Sequence, residues 1–408
     1  MIAARCRDLF FSLHNAHTKK RSWTLREGIL KLRNSNSSIY RTLRIMTTDQ
    51  QIKLGITSDM HVHARDGAMC ELVTPTIREG GVSVAYIMPN LVPPVVSIDR
   101  VVEYKKTLQQ LSPKTTFLMS FYLSQDLTPE LIHEAAQKGA IRGVKCYPAG
   151  VTTNSAAGVD PNDFTAFYPI FKAMEEEDLI LNLHGEKPSV ANEDIHVLNA
   201  EEKFLPALVK LHEDFPNLRI VLEHCTTEAA IKTIDSINKD VRDASDIRVA
   251  ASLTAHHLHL IIDDWAGNPV NFCKPVAKLP RDREALVRAA ISGKPWFFFG
   301  SDSAPHPLKN KSKHMGVSAG IFTQKYAIPY LAEVFEKHGA LDKLKDFVST
   351  FGPQFYHLDR KEIVCPEEEV VLVREPQVVP EVITDGKGLE MAPFLAGKTL
   401  AWSVKWVK

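Results

Sequence analysis

Short apolar or β-branched runs alternate with longer amphipathic stretches from residue 52 onward. The short runs have the length and composition of buried strands, whereas the longer stretches carry apolar residues at helical spacing. The predicted strands are 52–61, 82–88, 116–122, 141–147, 179–184, 219–224, 247–253 and 296–301. The clearest predicted helices between them are 98–111, 129–138, 164–177 and 201–213. Eight repeated βα units predict an α/β fold with a closed (β/α)8 barrel, a TIM barrel.

Polar residues stand where several of these strands end. In such a barrel the chemistry lies at the C-terminal mouth, so these residues are the first candidates for an active site. They are His61, His63, Asn90, Lys145, His184, His224 and Asp302. Side chains alternate along a strand, so Cys146 and Cys225 are expected to point outward to the helices.

The histidines and the aspartate in this set suggest a metal site. His61 and His63 lie on one side of an extended segment, about 7 Å apart, which is close enough to chelate one cation. A single histidine such as His184 is better explained as a hydrogen-bonded core residue. Gathered at one mouth without a metal, however, the set would leave several buried groups unsatisfied at about 1–3 kcal/mol each. A metal site is therefore the better interpretation.

Lys145 is the least expected member of the set, because a lysine within a strand is rarely buried without a partner. An ion pair with a neighbouring acid is one interpretation. The other is that low polarity and nearby metal charge depress its pKa, so that the neutral amine takes up carbon dioxide as a carbamate. A carbamate would provide an anion that bridges two metals.

The composition is that of a globular enzyme, with 408 residues, 44% of them hydrophobic, and a net charge of zero. Residues 1–46 differ, since they hold ten Lys and Arg but two acids. This segment is either a transit peptide for a mitochondrion or plastid, or an upstream extension without a structural role. We expect it to be disordered or cleaved. The protein is expected to be cytoplasmic, or organellar if the segment directs import.

The remaining chain is predicted to contain the barrel at 47–360 and a C-terminal segment at 361–408 packed on the barrel. No run approaches the roughly 18 apolar residues that a membrane helix needs, so no membrane span is expected. No basic face or aromatic platform indicates a nucleic-acid partner. The six cysteines show no C-x-x-C spacing and are expected to be reduced.

The motifs at the strand ends resemble those of the dihydroorotase family, in its compact class II form, within the amidohydrolase superfamily. The resemblance covers about residues 52 to 360. Its segments are D-M-H-V-H-A-R-D-G (59–67), M-P-N (88–90), K-C-Y-P (145–148), H-G-E (184–186), E-H (223–224) and S-D-S-A-P-H (301–306).

The resemblance implies a metal centre with two Zn²⁺ per subunit. One zinc would bind His61, His63 and Asp302, and the other His184 and His224. Carboxylated Lys145, an N6-carboxylysine, would bridge them. The implied substrate contacts are Arg65, Asn90 and His306 to the substrate carboxylate, Thr152 and Thr153 on a mobile loop, and the backbone at Lys274 and Ala319.

The activity that the resemblance implies is the reversible cyclisation of N-carbamoyl-L-aspartate to (S)-dihydroorotate and water in pyrimidine synthesis. A hydroxide on the metal pair would attack in the hydrolytic direction, with Asp302 as general base and then acid. A homodimer is common among such relatives. The alternatives are another cyclic amidohydrolase, such as a hydantoinase, dihydropyrimidinase or allantoinase, and a scaffold that has lost its metals. His256, His257 and His259 are expected to be structural.

Overall fold

Parallel strands form the closed barrel that the hydrophobic pattern predicts. The computed structural model describes residues 51–312 and 316–408, so the segment 1–46 and its two interpretations lie outside the described residues. The strands up to residue 300 are β1 (Gln51–Gly55), β2 (Ser58–Val62), β3 (Val84–Ile87), β4 (Thr116–Leu118), β5 (Ser120–Tyr122), β6 (Gly143–Cys146), β7 (Ile180–Leu183), β8 (Arg219–Leu222), β9 (Val249–Leu253) and β10 (Phe297–Phe299).

Hydrogen bonding follows chain order around the barrel. Strands β2, β3 and β4 pair in parallel, and so do β5 to β10. Strands β4 and β5 are two parts of one barrel strand, interrupted at Met119. A parallel bridge between Val62 and Ser303, with His63 N donating to Ser303 O at 3.1 Å, joins the last strand to the first. The predicted (β/α)8 architecture is therefore confirmed.

The prediction of one continuous strand over 52–61 is wrong. Strand β1 ends at Gly55, and the barrel strand β2 begins at Ser58. Gly55 has φ +80°, a left-handed conformation that glycine adopts without steric cost, and the chain changes direction there. As a result β1 leaves the barrel and pairs elsewhere, while β2 carries His61 into the barrel.

The helices lie between the strands and begin at recognisable caps. The α-helices are α1 (Gly67–Glu79), α2 (Ile98–Leu111), α3 (Pro129–Gln137), α4 (Tyr168–Glu176), α5 (Ala200–Asp214), α6 (Glu228–Ile237), α7 (Ala255–His259), α8 (Ile262–Trp265), α9 (Pro280–Ala290), α10 (Leu308–Lys311), α11 (Ala327–Lys337), α12 (Leu341–Lys345) and α13 (Phe351–Phe355). Ser97 caps α2 and Thr128 caps α3, each by accepting a hydrogen bond from a backbone N–H of the first turn. Among the described residues no helix has both the length and the apolar character needed to cross a bilayer.

Two apolar layers separate the inside of the barrel from its outside. On β3, Val84 and Tyr86 belong to a cluster shared with residues of β7, β8, β9 and β10, which can meet only inside the barrel. Ala85, between them, belongs to the larger cluster against the helices. Cys146 and Cys225 lie in this outer cluster, as the alternation of side chains predicts.

The C-terminal segment adds strands outside the barrel. They are β11 (Glu369–Val373), β12 (Gln377–Val378), β13 (Ile383–Thr384), β14 (Glu390–Met391), β15 (Thr399–Leu400) and β16 (Ser403–Val407). Strand β11 pairs antiparallel with β1 on one side and with β16 on the other. The segment also contacts α1, because Trp406 Nε1 donates to Arg78 O at 3.2 Å.

Candidate active site

The six predicted metal ligands meet at the C-terminal mouth of the barrel. His61 and Lys145 lie within β2 and β6, near their C-terminal ends. The other four follow strand ends by one to three residues. All six side chains are buried.

His61, His63 and Asp302 form the tightest group. Asp302 Oδ1 lies 3.4 Å from His61 Nε2 and 3.1 Å from His63 Nε2. The ligand atoms of the three residues all lie within 4.8 Å of one another, which is the spacing of donors around one cation. Both histidines therefore present Nε2 to the same point.

His184 and His224 form a second pair beside the first group. Their ring centroids are 4.7 Å apart, and the His224 ring is 5.1 Å from that of His61. His224 Nδ1 is buried and has no hydrogen-bond partner among the described residues. The two groups therefore share one cluster of imidazoles.

Lys145 is completely buried inside this cluster. Its Nζ has no hydrogen-bond partner in the described part of the chain, so the predicted alternative of a direct ion pair is not what the structure shows. Burial lowers the pKa of Lys145 to about 8, against the charges of Glu223 and Asp302, which raise it. The amine therefore loses its proton more readily than that of an exposed lysine.

Burial also determines the protonation of the imidazoles. It lowers the pKa of His63 to about 4 and that of His184 and His224 below the ordinary value. Burial would raise the pKa of Asp302, but the hydrogen bond with His63 and the electrostatic effect of the nearby imidazoles lower it more. Neutral imidazoles and an ionised carboxylate are the forms that bind metal.

Buried acids behind the ligands were not predicted as site residues. Glu223 Oε2 lies 2.9 Å from His61 Nδ1, and Asn182 Nδ2 donates to Glu223 Oε1 at 2.7 Å. Asp59 accepts from His61 N and, at 2.7 Å, from Ser301 N, so it ties β2 to the chain after β10. Both acids stand in the motifs around the ligands, but their contacts connect distant strands.

Arg65 and His306, predicted to hold the substrate carboxylate, lie side by side. His306 Nε2 is 2.9 Å from Ala319 O and 3.2 Å from Arg65 Nη2. When the imidazole donates to Ala319 O, its Nε2 cannot also accept from Arg65. Arg65 Nε donates to Pro305 O, and no described carboxylate bonds the guanidinium. The end of Arg65 is thus available to an anion.

Asn90 connects a predicted ligand to the predicted mobile loop. Its Oδ1 lies 2.8 Å from His63 Nδ1, and its Nδ2 donates to Thr153 O at 3.1 Å. Thr153 Oγ1 donates to Ala319 O at 3.3 Å, so the loop reaches across the mouth. A side-chain amide has two N–H donors, and one remains for a substrate.

One pocket joins the imidazole ligands and Asp302 to Arg65, Asn90 and the loop, whereas Lys145 and His306 are not among its lining residues. Its lining residues are His61, His63, Arg65, Asn90, Tyr147, Thr152, Thr153, His184, His224, Lys274, Asp302, Ala304, Ala319 and Gly320. Lys274 and Ala319, whose backbone groups the resemblance implies as substrate contacts, both line the pocket. Tyr147 was missed. Its hydroxyl is buried without a partner among the described residues, and its place directly after Lys145 and Cys146 was the available signal.

The histidines after β9 lie apart from the pocket lining. His257 is bonded at both nitrogens, with Nδ1 2.9 Å from Thr254 Oγ1 and Nε2 2.9 Å from Pro275 O. His259 Nε2 lies 3.1 Å from Tyr330 O. His257 also stands close to His256 and Cys273 in a spacing that could hold a cation, but its two hydrogen bonds make it a structural residue. The structural interpretation of His257 and His259 agrees with these contacts.

The donor set fits a pair of divalent cations. It supplies neutral imidazoles and a carboxylate, and it surrounds a buried amine that has no partner of its own. Without cations the unpartnered nitrogens of Lys145 and His224 would each cost desolvation energy. The fold and this site define the class: a barrel hydrolase of the amidohydrolase type.

Comparisons with known proteins identify the family within that class. A family model described as amidohydrolase matches residues 108–228. The chain is 70% identical over 360 residues to the dihydroorotase of Saccharomyces cerevisiae, covering 88% of this chain and 99% of the relative. It is 50% identical over 357 residues to a probable dihydroorotase of Schizosaccharomyces pombe, covering 87% and 99%.

A solved structure gives the same result. The crystal structure of dihydroorotase from Saccharomyces cerevisiae in complex with 5-fluoroorotic acid superimposes with a TM-score of 0.87 at 70% identity, covering 88% of this chain and 99% of that one. The chain therefore belongs to the dihydroorotase family.

Proposed function

We propose that this protein interconverts N-carbamoyl-L-aspartate and (S)-dihydroorotate, with release or uptake of water, as a step of de novo pyrimidine synthesis. The observation that carries the proposal is one pocket that joins a buried set of metal donors to the available guanidinium of Arg65. A planar guanidinium binds a carboxylate with two parallel hydrogen bonds. The relatives named dihydroorotase support the same activity.

We propose two Zn²⁺ per subunit as the cofactor. His61, His63 and Asp302 would hold one ion, His184 and His224 the other, and Lys145 would bridge them as a carbamate. The buried, unpartnered Nζ of Lys145 supports the bridge, because carboxylation replaces an unpaired amine by an anion that two cations can share. Nitrogen and oxygen donors of this kind suit zinc first. When bound, the two ions would lower the pKa of a shared water and polarise the substrate carbonyl.

The surrounding residues of the chain would bind and enclose the substrate. Arg65 and the spare N–H of Asn90 would donate to the carboxylate, and His306, beside Arg65 and Ala319, would support that side of the pocket. The loop at Thr152 and Thr153 would exclude water while it lies across the mouth.

Asp302 would move the proton. In hydrolysis it takes a proton from the attacking water as the new C–O bond forms, and it gives that proton to the ring nitrogen as the C–N bond breaks. In cyclisation the ureido nitrogen attacks the side-chain carboxyl carbon and loses its proton to Asp302, which passes it to the departing carboxyl oxygen as the C–O bond breaks; that oxygen leaves as hydroxide and takes a second proton from solvent to become water. The contact of 3.1 Å between Asp302 Oδ1 and His63 Nε2 keeps the carboxylate at the centre of the donor set.

A paired assay tests the proposed function. Purified protein is given dihydroorotate, carbamoyl-aspartate and an uncharged hydantoin separately, and bound metal is measured on the same sample. Turnover of the first two with about two zinc ions per chain is expected. Turnover of the hydantoin alone would identify a hydantoinase, and a folded protein without metal or activity would identify a scaffold.

For the remaining properties we propose a cytoplasmic homodimer without a nucleic-acid or membrane partner. The alternative is a mitochondrial or plastid protein if residues 1–46 direct import. Light scattering of the purified protein measures the subunit number. Microscopy of fluorescent fusions with and without residues 1–46 measures the location, and an organellar signal that needs the segment would support import.

A further inference from the structure

Glu186 is a buried acid that the mechanism above does not use. It follows His184 by two positions after β7, and its side chain is 3% exposed. Its Oε2 lies 2.8 Å from His184 Nε2. Its other oxygen, Oε1, lies 3.9 Å from Nζ of Lys278, which is also buried. A histidine, an acid and a lysine therefore stand in a row behind the pocket.

The contact with Glu186 decides which nitrogen of His184 carries the proton. An ionised carboxylate can only accept hydrogen bonds, so Nε2 must be the donor. The lone pair of the neutral ring is then on Nδ1. His61 and His63 have the opposite arrangement, because their Nδ1 atoms face Glu223 and Asn90 while Nε2 faces Asp302. Three of the four ligand rings, those of His61, His63 and His184, thus face a polar side chain on the side away from the donor centre.

Lys278 belongs to a wider buried network. Its Nζ donates to Val276 O at 3.0 Å, and its charge also acts on a second buried acid, Glu201. Glu201 accepts hydrogen bonds of 2.8 and 2.9 Å from Thr226 N, two residues after His224. Glu186 and Glu201, the two buried acids on which the charge of Lys278 acts, therefore contact the segments carrying His184 and His224.

We propose that Glu186, which lies between His184 and Lys278, is a positioning residue that sets His184 to bind a metal ion through Nδ1. The inference rests on the metal centre proposed above. A carboxylate behind a metal-bound imidazole fixes the ring orientation and increases the basicity of the ligand nitrogen. Because Glu186 contacts His184 and not the group around Asp302, its loss weakens one of the two metal sites.

The test is metal binding by the Glu186→Gln variant. Glutamine keeps the size of the side chain but removes the charge and adds a competing donor. Apoprotein is titrated with Zn²⁺ against a chromophoric chelator, and metal per chain is measured after gel filtration. Wild type is expected to bind two equivalents. The variant is expected to bind one equivalent with unchanged affinity and the other about 10- to 100-fold more weakly.

A matched control separates positioning from a general loss of a buried charge. Glu368 pairs with Arg78 and, at 2.7 Å, with Lys114, far from the ligands in sequence and contact. Glu368→Gln is expected to keep two tight sites. The metal-induced rise in melting temperature is measured for both variants. It is expected to shrink in Glu186→Gln alone, because a purely structural role lowers the apo and metal-bound values equally.

The outcomes distinguish this inference from the proposed centre. If wild type binds two ions and Glu186→Gln binds both with wild-type affinity, the positioning role is wrong and the centre stands. If wild type itself binds no metal, the centre is wrong. If Glu186→Gln does not fold, Lys278→Met is titrated instead, and it is expected to weaken the same single site. Two unchanged sites in that variant would also overturn the proposal.

Discussion

At the scale of single residues, three pocket residues have backbone conformations that side chains disfavour. Arg65, His224 and Asp302 have φ values of 62°, 42° and 44°. A left-handed conformation in a residue other than glycine costs of order 1 kcal/mol or more and persists where the surroundings enforce it. Each of the three stands just past the end of a barrel strand, where the chain turns and the side chain must point to the mouth. The backbone strain at these three residues lowers stability locally but orients their side chains toward the mouth.

The first prediction concerns Asp302 as the proton carrier. Asp302→Asn keeps the shape but removes the base, so kcat is expected to fall by about 10²- to 10⁴-fold. Steady-state kinetics in both directions and the thermal melt measure the effect. Asp214→Asn, on the exposed end of α5, is the control and is expected to keep wild-type kcat. Wild-type turnover by Asp302→Asn would contradict the assigned role.

The second prediction concerns the carbamate at Lys145. Lys145→Ala removes the bridge, so metal content and activity are expected to fall together, the activity by more than about 100-fold. Millimolar acetate or propionate is expected to restore part of both, because a short carboxylate fits the vacated space and supplies the missing anion. Metal per chain and rate are measured with and without the acid.

The control for Lys145 is Lys172→Ala, which removes an exposed lysine of α4. It is expected to keep both metals and to be insensitive to the acid. Unchanged metal content in Lys145→Ala would exclude the bridge. If Lys145→Ala lost its metal and neither acetate nor propionate restored it, the missing carbamate anion would not explain the loss of metal.

At the scale of elements, the loop after β6 and its contact across the mouth affect turnover. Thr153→Val removes the hydroxyl that donates to Ala319 O and keeps the side-chain shape. One hydrogen bond contributes about 0.5–1.5 kcal/mol, so kcat/KM is expected to fall by about 2- to 13-fold. Thr107→Val on the exposed face of α2 is the control. Equal values for the two variants would show that the loop contact does not matter for catalysis.

Strand β6 also depends on a glycine two positions before Lys145. A Cβ on Gly143 would stand 2.3 Å from Ile180 O and 2.8 Å from the Tyr86 hydroxyl, inside the barrel. Gly143→Ala is therefore expected to lower the free energy of unfolding by about 1–3 kcal/mol and to displace Lys145. Denaturant unfolding and metal content measure both effects. Ala140→Gly, just before the strand, is the control. Gly139→Ala is not used, because the positive φ of Gly139 would itself strain an alanine.

The elements also show what the sequence can and cannot predict. Helix α2 was predicted with its observed bounds, because its apolar spacing and the Ser97 cap are local signals. The break between β1 and β2 was missed, since Gly55 was its one local sign and the partner of β1 lies near the C-terminus. The ligands were found because their chemical types recur at strand ends. The supporting acids Glu186 and Glu223 were not predicted as site residues, because their roles follow from side-chain contacts that form only in the folded chain.

At the scale of the whole molecule, the C-terminal segment is part of the core. Trp402 is fully buried, and its Nε1 donates to Glu336 of α11 at 3.0 Å. Trp402→Ala is expected to lower the free energy of unfolding by about 3–5 kcal/mol while the folded enzyme keeps its kcat, because the residue lies away from the pocket lining. Denaturant unfolding and kinetics at low temperature measure the two quantities.

The control for Trp402 is Lys405→Ala on β16. It breaks an exposed ion pair with Glu375, which is worth about 0–1 kcal/mol. A similar small effect for Trp402→Ala would show that the segment is only loosely attached. A loss of kcat in the folded variant would instead connect the segment to the pocket.

The pairing of β1 with β11, and of β11 with β16, has a consequence for biosynthesis. Gln51 stands opposite Val373, and Val373 opposite Ser403. During translation β1 leaves the ribosome long before its partner β11 exists, and contacts so distant in sequence form late and slowly. The nascent chain must therefore keep the edge of β1 unpaired until synthesis is almost complete, and during that interval its free N–H and C=O groups are open to pairing with another chain.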